Sequence, residues 1–193
     1  DCISDRDDIR VAILTGAGKV FSAGADMRAR SNLDEVGERW QHNRRARECY
    51  HAIRECTKPV IAAINGAALG AGLAVAASCD ILVAAEEATL GLPEIDVGLL
   101  GGGKHAQRLF PHSTLRRMML TGYRVPGPEL YRLGVVEACV PRDEVVAKAR
   151  EIATEIASKS PFAIRLAKQS LNTIEEMSLR DGMHARRHQF TVE

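Results

Sequence analysis

Two stretches of small residues, each placed after an apolar run, constrain this chain more than any other feature. Residues 20–27 read VFSAGADM and follow the apolar run 11–14, while residues 67–72 read AALGAG and follow the apolar run 60–64. Each apolar run predicts a buried strand, and each small-residue stretch leads into a helical pattern. Because backbone amides at strand-to-helix turns are fixed donors, two such turns can bind one carbonyl oxygen from two sides. The simpler interpretation is that small residues only allow close packing.

Composition excludes several classes of protein. The chain has 193 residues and a net charge of +1, so its totals favour neither nucleic acid nor a membrane surface as a partner. No apolar run has the length of a membrane span, and no signal-peptide pattern begins the chain. The five cysteines lack the close spacing of a zinc site, which predicts no metal and a reducing compartment. We therefore expect a cytoplasmic protein, or one of the mitochondrial matrix in a eukaryote.

Apolar runs alternate with helical periods along the chain. This alternation predicts an α/β fold. A Pro-Gly-Pro break at residues 126–128 predicts two parts, a core over residues 1–125 and a C-terminal helical lobe over residues 126–193. The runs at 9–15, 60–64 and 81–85 predict buried strands, and those at 72–78 and 144–157 predict helices. A longer helix from residue 33 to Pro59 is predicted to place Leu33, Val36, Trp40, Tyr50 and Ile53 near one apolar face.

Five motifs, in order and at consistent separations, resemble the enoyl-CoA hydratase/isomerase (crotonase) superfamily. They are FSAGAD at 21–26, KPVIAAING at 58–66, LGAG at 69–72, CDI at 79–81 and LPE at 92–94. The resemblance covers residues 8 to 179 approximately and implies a crotonase-like spiral of repeated β-β-α turns. It also implies that the C-terminal lobe packs on neighbouring subunits in a homotrimer or hexamer. Compared with the family, an N-terminal strand region is absent, so we expect this sequence to be a fragment.

The resemblance implies an enzyme that acts on acyl-CoA thioesters. Ala25 and Ala71 match the positions whose backbone N–H groups bind the thioester oxygen, and Glu94 matches the catalytic glutamate. The expected path of the acyl-CoA is lined by Ala23, Asp26, Met27, Arg28 and Gly70. No cofactor is implied beyond the coenzyme A of the substrate itself.

The residues around Glu94 support an acid/base role on their own terms. Glu94 follows Pro93 and stands among leucine, isoleucine and valine side chains. Apolar surroundings disfavour the ionised form of a carboxylate, which suits a group that both takes and gives a proton. The alternative for Glu94 is a solvated loop carboxylate, and the alternative for Asp26 is an N-cap of the following helix.

Two departures from the family pattern bear on the reaction. Ala74 occupies the position of a second glutamate in family hydratases, and Lys104 and His105 replace glycines beside the expected site. Hydration normally needs two carboxylates, whereas moving a double bond can use one, so isomerisation is slightly preferred over hydration. Lys104 and His105 are either substrate-specific groups or part of a solvated helix N-terminus.

An arginine-rich stretch leaves a further alternative open. Acidic residues are interspersed with the arginines, so a solvated helix face is one interpretation, neutralisation of CoA phosphates is a second, and RNA binding is a third. The second function class is therefore a catalytically weak crotonase-fold protein that binds RNA or a protein partner. The histidines outside position 105 are expected to be structural or exposed. The seven arginines of the stretch are Arg28, Arg30, Arg39, Arg44, Arg45, Arg47 and Arg54.

Overall fold

The computed structural model describes residues 3–26, 36–175 and 177–178. These residues form eight strands, seven α-helices and the 3-10 helix Pro93–Val97. The strands are β1 Ala12–Thr15, β2 Val20–Ser22, β3 Val60–Ile64, β4 Ala67–Leu69, β5 Ile81–Ala85, β6 Thr89–Gly91, β7 Arg124–Pro126 and β8 Ala138–Val140. The helices are α1 Val36–Arg54, α2 Ala71–Ala77, α3 Gly103–Gln107, α4 His112–Thr121, α5 Gly127–Arg132, α6 Val145–Ala157 and α7 Pro161–Ile174.

The strands form two four-stranded sheets, and strands β1 to β6 alternate between them along the chain. One sheet has the order β1-β3-β5-β8 and is parallel throughout. The other has the order β2-β4-β6-β7, with β7 alone antiparallel to its neighbour. Since the chain passes from one sheet to the other and then through a helix before it returns, each turn of the coil is a β-β-α unit. The predicted α/β spiral is confirmed.

The core lies around the central strands of the first sheet. All five residues of β3 are buried, and four of the five in β5 are buried. Strands covered on both faces need a continuous apolar run rather than an alternating one, which is why residues 60–64 read VIAAI. The helix α6 packs against β1, β3 and β5, and its Val145 and Ala149 are fully buried.

Helix α1 has a shorter buried face than its sequence pattern predicts. Tyr50 and Ile53 are half-buried, but Trp40 is 57% exposed. The ring of Trp40 lies 5.7 Å from the Arg44 guanidinium, a contact that a solvent-facing side chain can make. The apolar face predicted for this helix is therefore partly covered at Tyr50 and Ile53 but not at Trp40. Leu33 lies outside the described residues.

The C-terminal part begins as its sequence predicts and shares a sheet with the first part. Ser160 caps α7 by accepting a hydrogen bond from the Ala163 N–H at 3.5 Å, and Pro161 occupies the first turn. Strand β8 pairs with β5, so the division of the chain after residue 125 stays a prediction. Among the described residues, no helix combines the length and the hydropathy that crossing a membrane requires.

Candidate functional site

The three residues expected to carry the chemistry each follow one of three neighbouring parallel strands. Strand β2 pairs with β4, and β4 pairs with β6. Ala25, Ala71 and Glu94 follow these strands by two or three residues each. Because the carboxyl ends of parallel strands meet at one edge of a sheet, the three residues converge there. All three line one pocket of about 540 Å³.

Glycines allow the two small-residue turns to touch. A Cβ placed on Gly24 would lie 2.9 Å from the Leu69 carbonyl oxygen and 3.6 Å from the Ala71 nitrogen. A Cβ on Gly72 would lie 2.4 Å from the carbonyl oxygen of Ser22. The turns are therefore packed backbone to backbone. Ala71 is also the first residue of α2, so its N–H has no acceptor within that helix and points outward from its end.

Glu94 lies against the second of these turns. It sits in the 3-10 helix that Pro93 begins, and a Cβ on Gly70 would lie 2.6 Å from its Oε1 atom. Its Oε2 atom is buried and has no hydrogen-bond partner among the described residues. Buried polar atoms are almost always hydrogen-bonded, and exceptions are common at catalytic positions. The unsatisfied oxygen therefore marks Glu94 as the group in this pocket that is open to a ligand or substrate proton.

Tyr50 and His105 form one wall of the pocket. Their ring centroids lie 4.7 Å apart in an edge-to-face arrangement. Burial raises the pKa of Tyr50, with smaller contributions from Cys49 and Glu94, so its hydroxyl stays protonated at neutral pH. Burial also lowers the pKa of His105, and the nearby cations add to the effect, so its imidazole is neutral there. Both side chains can therefore donate a hydrogen bond without carrying charge.

Asp96 and Arg124 also line the pocket, and sequence reasoning did not single them out. Asp96 lies two residues after Glu94, and its carboxylate reaches to within 3.0 Å of a Cβ placed on Gly122. Arg124 comes from β7 and pairs with Gly91 at the end of β6. The closeness of Asp96 to Glu94 in the sequence could have indicated that Asp96 lies in the same pocket. The sequence gives no comparable indication for Arg124, because the antiparallel pairing of β7 with β6 brings it to the pocket.

The other expected site residues divide into three groups. Ala23 and Gly70 line the pocket, as does Ala74, which is only 2% exposed. Asp26 is exposed and is not part of the lining in the described structure. Met27 and Arg28 lie outside the described residues.

Within the described ranges, no three His, Cys, Asp or Glu side chains are grouped so that they could hold a metal ion.

Comparison with known proteins identifies the family. A profile described as enoyl-CoA hydratase/isomerase matches residues 3–192. The chain therefore belongs to the enoyl-CoA hydratase/isomerase family of enzymes.

Individual relatives agree with this assignment. The chain is 35% identical over 173 residues to a "(7aS)-7a-methyl-1,5-dioxo-2,3,5,6,7,7a-hexahydro-1H-indene-carboxyl-CoA hydrolase" of Rhodococcus jostii, covering 90% of this chain and 67% of the relative. It is 34% identical over 174 residues to a short-chain-enoyl-CoA hydratase of Clostridium acetobutylicum, covering 88% of this chain and 66% of the relative. A solved structure of an enoyl-CoA hydratase from Bacillus anthracis superposes with a TM-score of 0.90 at 36% identity, covering 98% of this chain and 74% of that one. The chain thus spans about two thirds to three quarters of the length of these relatives.

Proposed function

We propose that this chain is an acyl-CoA enzyme that stabilises the enolate of a thioester. In this proposal the N–H groups of Ala25 and Ala71 bind the thioester oxygen, and Glu94 moves the proton at the adjacent carbon. Fixed amide donors aimed at a developing oxyanion are an effective form of electrostatic catalysis because they need no reorganisation during the reaction. No cofactor is needed beyond the coenzyme A carried by the substrate.

One observation supports this proposal above the others. The buried and unpartnered Oε2 atom of Glu94 lies in the same pocket as the two amide turns, and that pocket is formed at the ends of three adjacent strands. A carboxylate in this position can take a proton from a bound acyl chain and return it at another carbon. The same placement has no use in a protein that only binds RNA or a partner.

For the finer reaction we propose double-bond migration ahead of hydration. Ala74 lines the pocket, so the position of a second carboxylate in hydratases is occupied by a methyl group. Moving a double bond needs one proton shuttle, which Glu94 alone can supply. Asp96 is a second carboxylate in the same pocket, so it is the described group best placed to support hydration if that reaction occurs.

Hydrolysis of a CoA ester is a second candidate reaction. It is favoured by the similarity to the carboxyl-CoA hydrolase of Rhodococcus jostii. The same oxyanion turns would then bind a tetrahedral intermediate, and Glu94 would activate water. Release of free coenzyme A, measured with a thiol reagent, separates hydrolysis from the two reactions that keep the thioester.

The test is the pair of rates for a 3-enoyl-CoA and a 2-enoyl-CoA, measured on the full chain with and without Glu94→Gln. The substitution keeps the shape of the side chain and removes the base, so turnover is expected to fall by about 10²–10⁴-fold. Binding of the CoA ester, measured by calorimetry, is expected to stay within a few-fold of the unmodified chain.

Asp96→Asn is the matched control, since it neutralises the other carboxylate of the pocket. We expect it to reduce any hydration while leaving double-bond migration within a few-fold. Efficient hydration of crotonyl-CoA that survives Glu94→Gln would remove both the preference for isomerisation and Glu94 as the base.

A further inference from the structure

A second cavity lies behind the wall that Tyr50 and His105 form. These two residues line both the pocket that holds Glu94 and this neighbouring cavity of about 600 Å³. The two spaces therefore share this edge-to-face pair of rings, whose centroids are 4.7 Å apart. A substrate long enough to extend past these rings would reach the second cavity.

The second cavity is strongly cationic. Among the residues that the structure describes, its lining includes four basic side chains and one carboxylate, that of Glu175. The basic side chains are Arg47, Arg54, Lys104 and Arg108. A cavity with this excess of positive charge attracts an anionic group.

The carboxylate that the described residues place in this cavity is already paired. Arg108 contacts both carboxylate oxygens of Glu175, at 2.5 and 3.1 Å, and Arg54 lies 3.3 Å from the second of them. By contrast, no hydrogen bond or ion pair is formed by the side chain of Arg47 or Lys104 within the described ranges. Arg47 and Lys104 are therefore available to bind an anionic group that the described chain does not supply.

The Glu94 pocket adjoins the cationic cavity through the side chains of Tyr50 and His105. Its lining also includes the apolar side chains of Ala46, Ala74 and Leu99. The Glu94 pocket thus combines two amide turns with apolar side chains, and the two neutral donors of its wall also line the cationic cavity. The lowered pKa of His105, to which Arg108, His51 and Arg54 contribute after burial, shows that the positive potential extends to the ring pair.

We propose that the cationic cavity binds a carboxylate at the far end of the acyl chain, so that the preferred substrates are ω-carboxyacyl-CoA thioesters. The inference rests on the proposed function in one respect, because the thioester end must be held at Ala25 and Ala71. Arg47 and Lys104 are the specificity-determining residues, since they are the cations of this cavity that have no partner among the described residues. A phosphate of coenzyme A is the other anion with suitable chemistry, and the experiment distinguishes the two sources.

The test is binding of unreactive saturated thioesters to the full chain, measured by calorimetry. Adipyl-CoA is compared with hexanoyl-CoA, and suberyl-CoA with octanoyl-CoA, so that each pair differs only in the terminal carboxylate. We expect at least one ω-carboxy ester to bind about tenfold more tightly than its partner, the scale of charge-assisted contacts that are partly exposed to solvent. The preference is expected to shrink at high salt.

The variant Arg47→Gln/Lys104→Gln is expected to remove this preference while leaving the affinity for hexanoyl-CoA within about twofold. Both side chains are exposed and make no hydrogen bond or ion pair with the described part of the chain, so we expect the variant to fold, and a thermal melt verifies this. Arg150→Gln removes a charge from an exposed position of α6, outside the linings of both cavities. It is expected to leave the affinities for the ω-carboxy ester and for hexanoyl-CoA unchanged.

Each other outcome overturns the proposal in a distinguishable way. Equal affinity of the unmodified chain for both members of every pair removes the carboxylate site but leaves the acyl-CoA enzyme intact. Equal weakening of both members in the double variant assigns the cations to coenzyme A phosphates instead. Failure to bind any thioester removes this inference together with the proposed function.

Discussion

Gly70 and Glu94 are in direct contact, and that contact determines what can change at the centre of the site. Gly70 has a φ of 55°, a conformation that residues with a Cβ rarely adopt. Its missing Cβ also leaves the space in which the Glu94 carboxylate lies, since a Cβ there would be 2.6 Å from Oε1. One glycine therefore meets a backbone requirement and a side-chain requirement at the same time.

Gly70→Ala disturbs both requirements at once. We expect it to displace the Glu94 carboxylate and lower turnover by about 10²-fold, since an error of about 1 Å at a reacting group has effects of that size. Backbone strain adds about 1–2 kcal/mol of lost stability. Steady-state kinetics and a denaturant melt measure the two effects.

Gly134→Ala provides the control for strain alone. Gly134 has a φ of 70° and no atom within 4 Å of the added Cβ. It should lose stability on the same scale and keep its turnover. Equal turnover in the two variants would mean that the position of Glu94 does not depend on Gly70.

The neutral state of His105 gives the molecule a pH dependence of stability. Burial lowers the pKa of His105 below its ordinary value of 6.5, so the unfolded chain binds this proton more readily than the folded one. Stability therefore decreases as the pH falls through about 6.5 and toward the lower pKa of the folded state. We expect His105→Asn to flatten this decrease, measured as the difference in denaturation midpoint between about pH 7.5 and about pH 5.5. An unchanged decrease in the variant would assign the pH dependence to other groups.

At the scale of elements, one lysine ties α7 to the central sheet. The Nζ atom of Lys168 donates to Asp80 Oδ2 at 2.7 Å and to the carbonyl oxygens of Lys58 and Ile53 at 3.1 and 3.4 Å. The same Asp80 oxygen accepts from the Val60 N–H at 2.7 Å. Lys168 is 6% exposed, so this network joins α7 to the starts of β3 and β5 in a largely dry setting.

Lys168→Met should therefore destabilise the fold. Removing one partner of a buried pair leaves the other charge unpaired, and we expect a loss of about 2–4 kcal/mol, reduced because the Asp80 side chain is 23% exposed. Chemical denaturation measures the loss. Lys148→Met breaks an exposed pair with Glu151 of the same 2.7 Å length and should cost less than about 1 kcal/mol. Equal losses would show that burial does not set the strength of the Lys168 pair.

Elements were predictable where the signal was local. The apolar runs of β3 and β5 and the Ser160-Pro161 start of α7 need no distant contact to be recognised. The positions of Ala25, Ala71 and Glu94 carry their own motifs, so three site residues could be predicted, although their chemical roles remain a proposal. His105 was predicted to lie beside the site, and it lines the pocket. Tyr50 and Arg124 could not be predicted, because they reach the pocket from α1 and β7 through contacts between residues far apart in the chain.

At the scale of the whole molecule, apolar side chains are left uncovered on the C-terminal part. Leu166 and Ile174 are half-buried, but Leu171 is 61% exposed and Phe162 is 55% exposed. Met177, beyond the end of α7, is 41% exposed. A group of exposed apolar side chains on one part of a protein is typical of an interface. We therefore keep the homotrimer or hexamer as a proposal.

Sedimentation at micromolar concentration tests this assembly. We expect the full chain to sediment as a trimer or hexamer, and Leu171→Glu to shift it toward smaller species, because burying an unpaired charge opposes association. Gln169→Glu introduces the same charge two residues away and should have a smaller effect. A stable monomer of the unmodified chain would contradict the proposal.

The pairing of β2 with β4 has a consequence for how the site tolerates change. The two amide turns follow strands that are hydrogen-bonded neighbours, and neighbouring strands lie about 4.8 Å apart in any sheet. The distance between the two proposed donors is thus set by the backbone ladder, whatever side chains surround it. Substitutions can reshape the acyl pocket or the cationic cavity without moving the donors. Substitutions in a chain built in this way can change which substrates it accepts, while the distance between the two proposed donors stays constant.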